Sequence, residues 1–308
     1  MSHLTSSTSS TTPNRSTTST SEEHPAPPAD HPDRLDGLSI DTFPDAPPEG
    51  ERWTTWDSAQ HGPTPRPEWV ITALGAVEED LGILKTGKEA DVHVVRRWLP
   101  GHTDGTADVT MAAKRFRSAE HRLFHRDAGY LEGRRVRKSR EMRAMARRTG
   151  FGKEMISAQW AGAEFGALAE LWSLGLPVPY PVQLHEGELL MEFIGDPDTR
   201  QAAPRLAGTR PEPDLLADLF EQCRATMATL AREGWAHGDL SAYNILLDGE
   251  RLVVIDWPQI VDVVGNPRGP EYLQRDCHTI CAWFTRKGLE VDEDELFGDL
   301  MAEAVARW

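Results

Sequence analysis

Between Trp235 and Gln259 the sequence reads WAHGDLSAYNILLDGERLVVIDWPQ, which sets His237, Asp239, Asn244 and Asp256 among apolar runs. His237, Asp239 and Asn244 keep the spacing H-x-D-x-x-x-x-N, and Asp256 follows twelve residues later at the end of a strand-like run. Phosphoryl transfer needs little covalent work from a protein. It needs a carboxylate beside the attacking oxygen, oxygen ligands for Mg²⁺ and a cation on the phosphates. Asp239 suits the first role, and Asn244 with Asp256 suits the second. Lys114 is the candidate for the third, because it interrupts the apolar run MAAKRF, where a buried ammonium requires an anion. A lone strand lysine usually points to solvent, so the downstream residues carry this reading. Glu164, on the helix that follows, is placed to hold the ammonium. His237 reads as a structural brace of its loop through backbone carbonyls, Asp262 as a surface or capping carboxylate, and Arg275-Asp276 as an internal ion pair anchoring the last helices.

These groups need elements to position them. LGILKTGKEADVHVVRRW alternates about a Thr-Gly-Lys turn, the pattern of two antiparallel strands, and DVTMAAKRFR reads as a third. Helix is expected through the basic stretch and MISAQWAGAEFGALAELWSLG, stopped by Gly175 and the prolines of LPVPYPV. ELLMEFIG is a further strand. PDLLADLFEQCRATMATLAREG is an amphipathic helix with Leu215, Leu219, Cys223 and Met227 at helical spacing. Asp248-Gly249 turns NILL back into RLVVID as a hairpin, which brings Asn244 and Asp256 side by side. Strands early and helices late predict an α+β fold of two lobes. Residues 1–65 are expected to be a disordered Ser/Thr/Pro-rich tail, since fifteen of the first 21 residues are Ser or Thr. The sheet lobe then spans 66–194, with a basic insertion at 118–155, and the helical lobe 195–308.

KTGKEADV, AAKRF, MEFIG, HGDLSAYNIL and VIDWPQ stand in the order and at about the separations of the RIO family of atypical serine/threonine protein kinases. The chain resembles that family from about Trp69 to Trp283, and the segment 126–165 resembles the insertion of its bacterial members. The Ser/Thr/Pro tail does not fit the winged helix that opens the family's second branch. The resemblance implies a kinase-like fold: an antiparallel sheet lobe, a helical lobe and a truncated activation segment. It further implies ATP and Mg²⁺, with Mn²⁺ as an alternative ion, and autophosphorylation. Asp239 would be the base, Asn244 and Asp256 the metal ligands, and Lys114, paired with Glu164, the contact to the α- and β-phosphates. Lys85, Thr86, Gly87, Lys88, Glu89 and Ala90 would replace a glycine-rich loop. Met191 would be the gatekeeper, the backbones of Glu192 and Ile194 would receive adenine, and Val92, Ala112 and Leu246 would be further nucleotide contacts. Asp256 would also be a candidate to carry an aspartyl phosphate, making ATP hydrolysis an outcome.

Three departures bear on mechanism. The loop has one glycine, Gly87, where ordinary protein kinases have three, and Gly238 replaces their arginine, which argues against control by a phosphorylated activation loop. DWPQ stands for Asp-Phe-Gly, and Pro258 argues against a flip of that segment. The chain carries −16 overall, but Arg115 to Lys153 holds thirteen Lys and Arg against four Asp and Glu, a net +9 that leaves −25 elsewhere. That block suggests contact with phosphate on ATP, on ribosomal RNA or on an acidic surface, with a solvated helical face as the alternative. Three cysteines fit a reducing, cytoplasmic setting, and no apolar run approaches the roughly 18 residues of a membrane span. The rival readings are a small-molecule kinase of the aminoglycoside or choline class, which shares HGDL but does not predict TGKEA, and a nucleotide-switched module docking on ribosomal RNA.

Overall fold

The computed structural model describes residues 46–101, 107–117, 150–257 and 260–306. In chain order the strands are β1 (Glu51–Trp53), β2 (Gln60–His61), β3 (Val77–Thr86), β4 (Ala90–Trp98), β5 (Asp108–Phe116), β6 (Pro181–His185), β7 (Glu188–Glu192), β8 (Gly195–Asp196), β9 (Gln201–Ala202), β10 (Trp235–Ala236), β11 (Ile245–Asp248), β12 (Arg251–Val254) and β13 (Val261–Asp262). The helices are α1 (Gly150–Ser173), α2 (Pro213–Arg232), α3 (Gly269–Lys287) and α4 (Glu293–Val305). A seven-stranded sheet in the order β1-β3-β4-β5-β7-β6-β2, antiparallel at every pairing, forms one lobe. Helices α2 to α4 with the β11–β12 hairpin form the other. The two-lobed α+β architecture is thus as expected.

The expected hairpins form where apolar and polar residues alternate. β3 and β4 pair through the Gly87–Glu89 turn, and β11 and β12 through Gly249–Glu250, with Asp248 opposite Arg251. Gly87 is required for space: its N–H donates to the Ala90 carbonyl at 2.9 Å, and an added Cβ would lie 2.8 Å from that oxygen. The predicted amphipathic helix is α2, whose Leu216, Leu219, Cys223, Met227 and Leu230 are buried. They join a core that continues through Leu273, Cys277, Ile280 and Phe284 of α3 to Leu296 and Leu300 of α4. Cys223, Cys277 and Cys281 are buried free thiols within it, and burial pushes their pKa values up, Cys223 to about 12.

The ordered fold begins earlier than residue 65. β1 and β2 add an edge strand to each side of the sheet, and Trp56 between them packs on Val95, Met111, Tyr180 and Val182. Gly62 donates to the Val182 carbonyl at 3.1 Å, and the Tyr180 hydroxyl donates to the Pro63 carbonyl at 2.8 Å. Short strands without alternation carry no sequence pattern; their order comes from the edges they cap. A second correction is β6. The prolines of LPVPYPV do stop α1, but Pro181 then opens a strand at an irregular register with β7, one of the places a sheet tolerates proline. The body of the basic insertion and Pro258 lie outside the described residues.

Candidate active site

The lobes enclose a cleft of about 880 Å³. Its roof is the β3–β4 turn and β5, its back wall is α1, and its floor is the segment after β7 together with the β11–β12 hairpin. Lys85, Gly87, Lys88, Glu89, Ala90, Val92, Ala112, Lys114, Glu164, Met191, Glu192, Ile194, Asn244, Leu246 and Asp256 all line it, so the predicted contacts converge from across the chain. Thr86 does not line it, and neither does Asp239. Arg205, Tyr243, Phe116 and Trp160 line it without having been expected. Of these, only Tyr243 had a sequence cue, its place beside Asn244.

The geometry centres on Lys114. Its Nζ donates to Glu164 Oε1 at 2.6 Å and Oε2 at 2.7 Å, and to Asp256 Oδ1 at 2.9 Å. Register explains the first contacts: Lys114 sits opposite Val92 in β4 and Leu189 in β7, and α1 packs under β5. Glu164 is only 2% exposed. Burial pulls the lysine down, but the two carboxylates outweigh it and hold the ammonium well above its ordinary range. Burial likewise pushes Glu164 up against the pull of Lys114. For Asp256 burial acts upward too, yet Lys114 prevails and keeps the carboxyl below its usual range. The Asp256 side chain is 49% exposed and lines the cleft. Its backbone has φ 68°, a left-handed conformation that Asp tolerates and that recurs at functional sites.

Asn244 and Asp256 meet as the hairpin required, since Ile255 N–H donates to the Asn244 carbonyl at 2.8 Å. Asn244 Nδ2 donates to the Asp239 carbonyl at 3.0 Å, which orients the amide and leaves Oδ1 as its acceptor. Among the described residues no group of three His, Cys, Asp or Glu could hold a metal alone. An amide oxygen beside one carboxylate fits a hard ion such as Mg²⁺ that completes its shell with water and phosphate oxygens.

Asp239 is fixed by a device the sequence reading missed. Asp276, only 1% exposed, accepts Gly238 N–H on Oδ2 and Leu240 N–H on Oδ1, each at 2.8 Å. Arg275 instead reaches Asp239 Oδ1 at 3.7 Å. The expected Arg275–Asp276 ion pair is therefore corrected: neighbours on a helix do not face each other. The overlooked cue was one acid on the apolar face of Leu273, Cys277 and Ile280, where a buried carboxylate must have partners. Gly238 has φ 81°, so a left-handed backbone occupies the position of the kinase arginine. His237 is buried and accepts Asp239 N–H on Nδ1 at 3.3 Å, so it braces the loop through an amide. Burial pushes it down to about 4. The Trp257 indole is buried and donates to the Val254 carbonyl at 3.0 Å, which anchors the segment after Asp256. Asp262 accepts Val264 and Gly265 N–H groups in an exposed turn.

Burial pushes Asp276 up to about 6, against the amides that favour its ionised form. The folded chain thus protonates this carboxyl more readily than the unfolded one, so its ionised form costs stability above pH 6, and the cost fades as pH falls toward 4. His237 works in the opposite direction: its neutral state stabilises the fold above pH 6.5 and that contribution is lost toward pH 4. Between pH 4 and 6 the two offset. Ionised Asp276 accepts both loop amides beside Asp239, so the turnover rate of any reaction that uses Asp239 should fall below pH ~6. Asp276→Asn, whose NH₂ would face one of the two amides, should be slow at every pH and lack that limb. A wild-type acid limb retained in Asp276→Asn would rule the assignment out.

The RIO domain family model matches residues 107–296. The RIO-type serine/threonine-protein kinase Rio1 of Haloferax volcanii is 34% identical over 223 residues, 72% of this chain and 69% of that one. The chain belongs to the RIO family. Other RIO relatives include the serine/threonine-protein kinase RIO3 of Mus musculus, 30% identical over 72% of this chain and 42% of its own. Serine/threonine-protein kinase rio1 of Dictyostelium discoideum is 30% identical over 69% of this chain and 34% of its own, so the chain spans well under half of either. Among solved structures, the Rio2 kinase–ADP/Mg²⁺–phosphoaspartate complex from Chaetomium thermophilum aligns over 74% of this chain and 66% of that one, at a TM-score of 0.49 and 21% identity. Among the described residues no helix is long and apolar enough to cross a membrane.

Proposed function

We propose that this RIO protein is an ATP-dependent serine/threonine protein kinase that transfers the γ-phosphoryl group with the aid of Mg²⁺ and phosphorylates itself. The observation that carries the reading is Lys114 held at once by Glu164 and Asp256 inside a nucleotide-sized cleft. Lys114 would contact the α- and β-phosphates, and the Gly87 turn with Lys88 would cover the triphosphate. Glu192 N–H is already spent on the Tyr180 carbonyl, and the Ile194 carbonyl on Ala203 N–H. Adenine would therefore meet the Glu192 carbonyl and Ile194 N–H, between Val92, Ala112 and Leu246. Asn244 and Asp256 would hold the divalent ion, which neutralises charge on the phosphates. Asp239, fixed through Asp276, would accept the proton of the attacking hydroxyl. The basic block from Arg115 to Lys153 would serve docking on RNA, a contact its +9 charge favours.

A second reading, ATP hydrolysis through Asp256, is favoured by the opening of that carboxylate to the cleft. An Asp256 oxygen would bond to the γ-phosphorus as the bond to the bridging oxygen breaks and ADP leaves; water would then release inorganic phosphate. Incubation of the intact chain with γ-labelled ATP separates the two. Acid-stable label on serine or threonine is expected for the kinase, whereas label only on an acid-labile carboxyl, with phosphate release, favours hydrolysis. Absence of both label and phosphate release would refute each.

A further inference from the structure

The cleft holds more positive charge than the Lys114 cluster uses. Lys114 is committed to Glu164 and Asp256. Lys85 and Arg205 also line the cleft, and neither pairs with a carboxylate among the described residues. They come from opposite sides. Lys85 lies near the end of β3, in the sheet lobe. Arg205 follows β9 and bridges to Leu246 of β11, and its Nη1 donates to the Tyr243 carbonyl, one residue before Asn244. That bond spends one N–H of a five-donor group and fixes the plane of the rest.

We propose that Arg205 and Lys85 form a two-sided clamp on the phosphate chain of the bound nucleotide, Arg205 from the floor and Lys85 from the roof. The clamp acts without the metal. It rests on the nucleotide reading above and adds to it a phosphate contact from the floor of the cleft. The two charges sense each other: burial pushes Lys85 below its usual range and the nearby guanidinium pushes it further, while Asp256 opposes both. Burial also pushes Arg205 down, with Asp256 opposing. Exposed Lys85 and half-buried Arg205, which repel across the opening, gain from an anion placed between them, and a phosphate oxygen meets a guanidinium by strong charge-assisted hydrogen bonds.

The test is the affinity of the full-length protein for adenosine, ADP and ATP in EDTA, where an effect routed through Asn244 and a metal cannot appear. The wild type should prefer ATP to adenosine. Arg205→Gln should reduce that preference about ten- to a hundredfold with adenosine affinity unchanged, and Arg205→Lys should recover part of it. Lys85→Met should act alike, and the double variant should lose less than the product of the single losses, because both cations hold one ligand. Unchanged preference in Arg205→Gln, or equal weakening of adenosine and ATP, overturns the clamp while the nucleotide site stands. A wild type that binds none of the three overturns the nucleotide reading and the clamp with it. Melting temperature without ligand separates misfolding from either result, and where Arg205→Gln is destabilised, Lys85→Met carries the test: a wild-type ATP preference in that variant overturns the clamp.

Discussion

Asp239→Asn should slow phosphoryl transfer from MgATP by about 10²–10⁴-fold, the usual cost of losing a correctly placed acid or base. Nucleotide affinity and stability should stay near wild type. The side chain is 52% exposed and outside the cleft lining, where substitutions typically change stability by no more than about 0.5 kcal/mol. The loop geometry does not depend on the carboxylate, because Asp276 holds the flanking amides and Asn244 grips the backbone carbonyl. Single-turnover assays with labelled ATP, beside equilibrium binding, check both halves. A variant that transfers phosphate at the wild-type rate would remove Asp239 from the mechanism.

Lys114→Met should damage stability and chemistry together, for one reason. Removing the ammonium leaves Glu164 buried with no cation at 2.6 Å, and breaking a buried pair from one side costs about 3–5 kcal/mol. Glu164, already pushed up by burial, should then rise further. A carboxyl raised in the fold destabilises the ionised state, so the deficit should be largest above pH 7 and shrink on acidification. Adding Glu164→Gln should restore much of the stability, because a neutral amide costs less to bury than an unpaired carboxylate, and none of the activity. Denaturant unfolding at several pH values reads the first part and labelled-ATP assays the second. Wild-type stability and activity in Lys114→Met would contradict both the pairing and its role.

The parts of this fold legible in the sequence are those whose local pattern agrees with their packing. β3 to β5, α2 and the β11–β12 hairpin follow from alternation, helical spacing and glycine turns, and the hairpin already implied that Asn244 meets Asp256. β1 and β2 were not legible. They are two or three residues long, lie in a proline-rich stretch, and owe their order to Tyr180, Val182 and the sheet edges. β6 was hidden because its proline reads first as a helix stop.

The candidate site divides in the same way. Asp239, Asn244 and Asp256 show themselves by spacing along one stretch. Lys114 with Glu164 needed a physical premise, that an ammonium within an apolar strand must find an anion, and the two lie 50 residues apart. Arg205 carried no such premise: it sits in a polar loop, and only the bridge to Leu246 brings it into the cleft. Asp276 was misread because its sequence neighbour, Arg275, offered an easy partner that helix geometry turns away.

The most direct measurement is calorimetric titration of the intact chain with ATP, first with Mg²⁺ and then with EDTA. A single saturable site is predicted, tighter with Mg²⁺, whose added affinity disappears in Asn244→Ala. Failure to bind ATP, or equal affinity with and without Mg²⁺, would contradict convergence of Lys114, Asn244 and Asp256 on one metal-bound triphosphate.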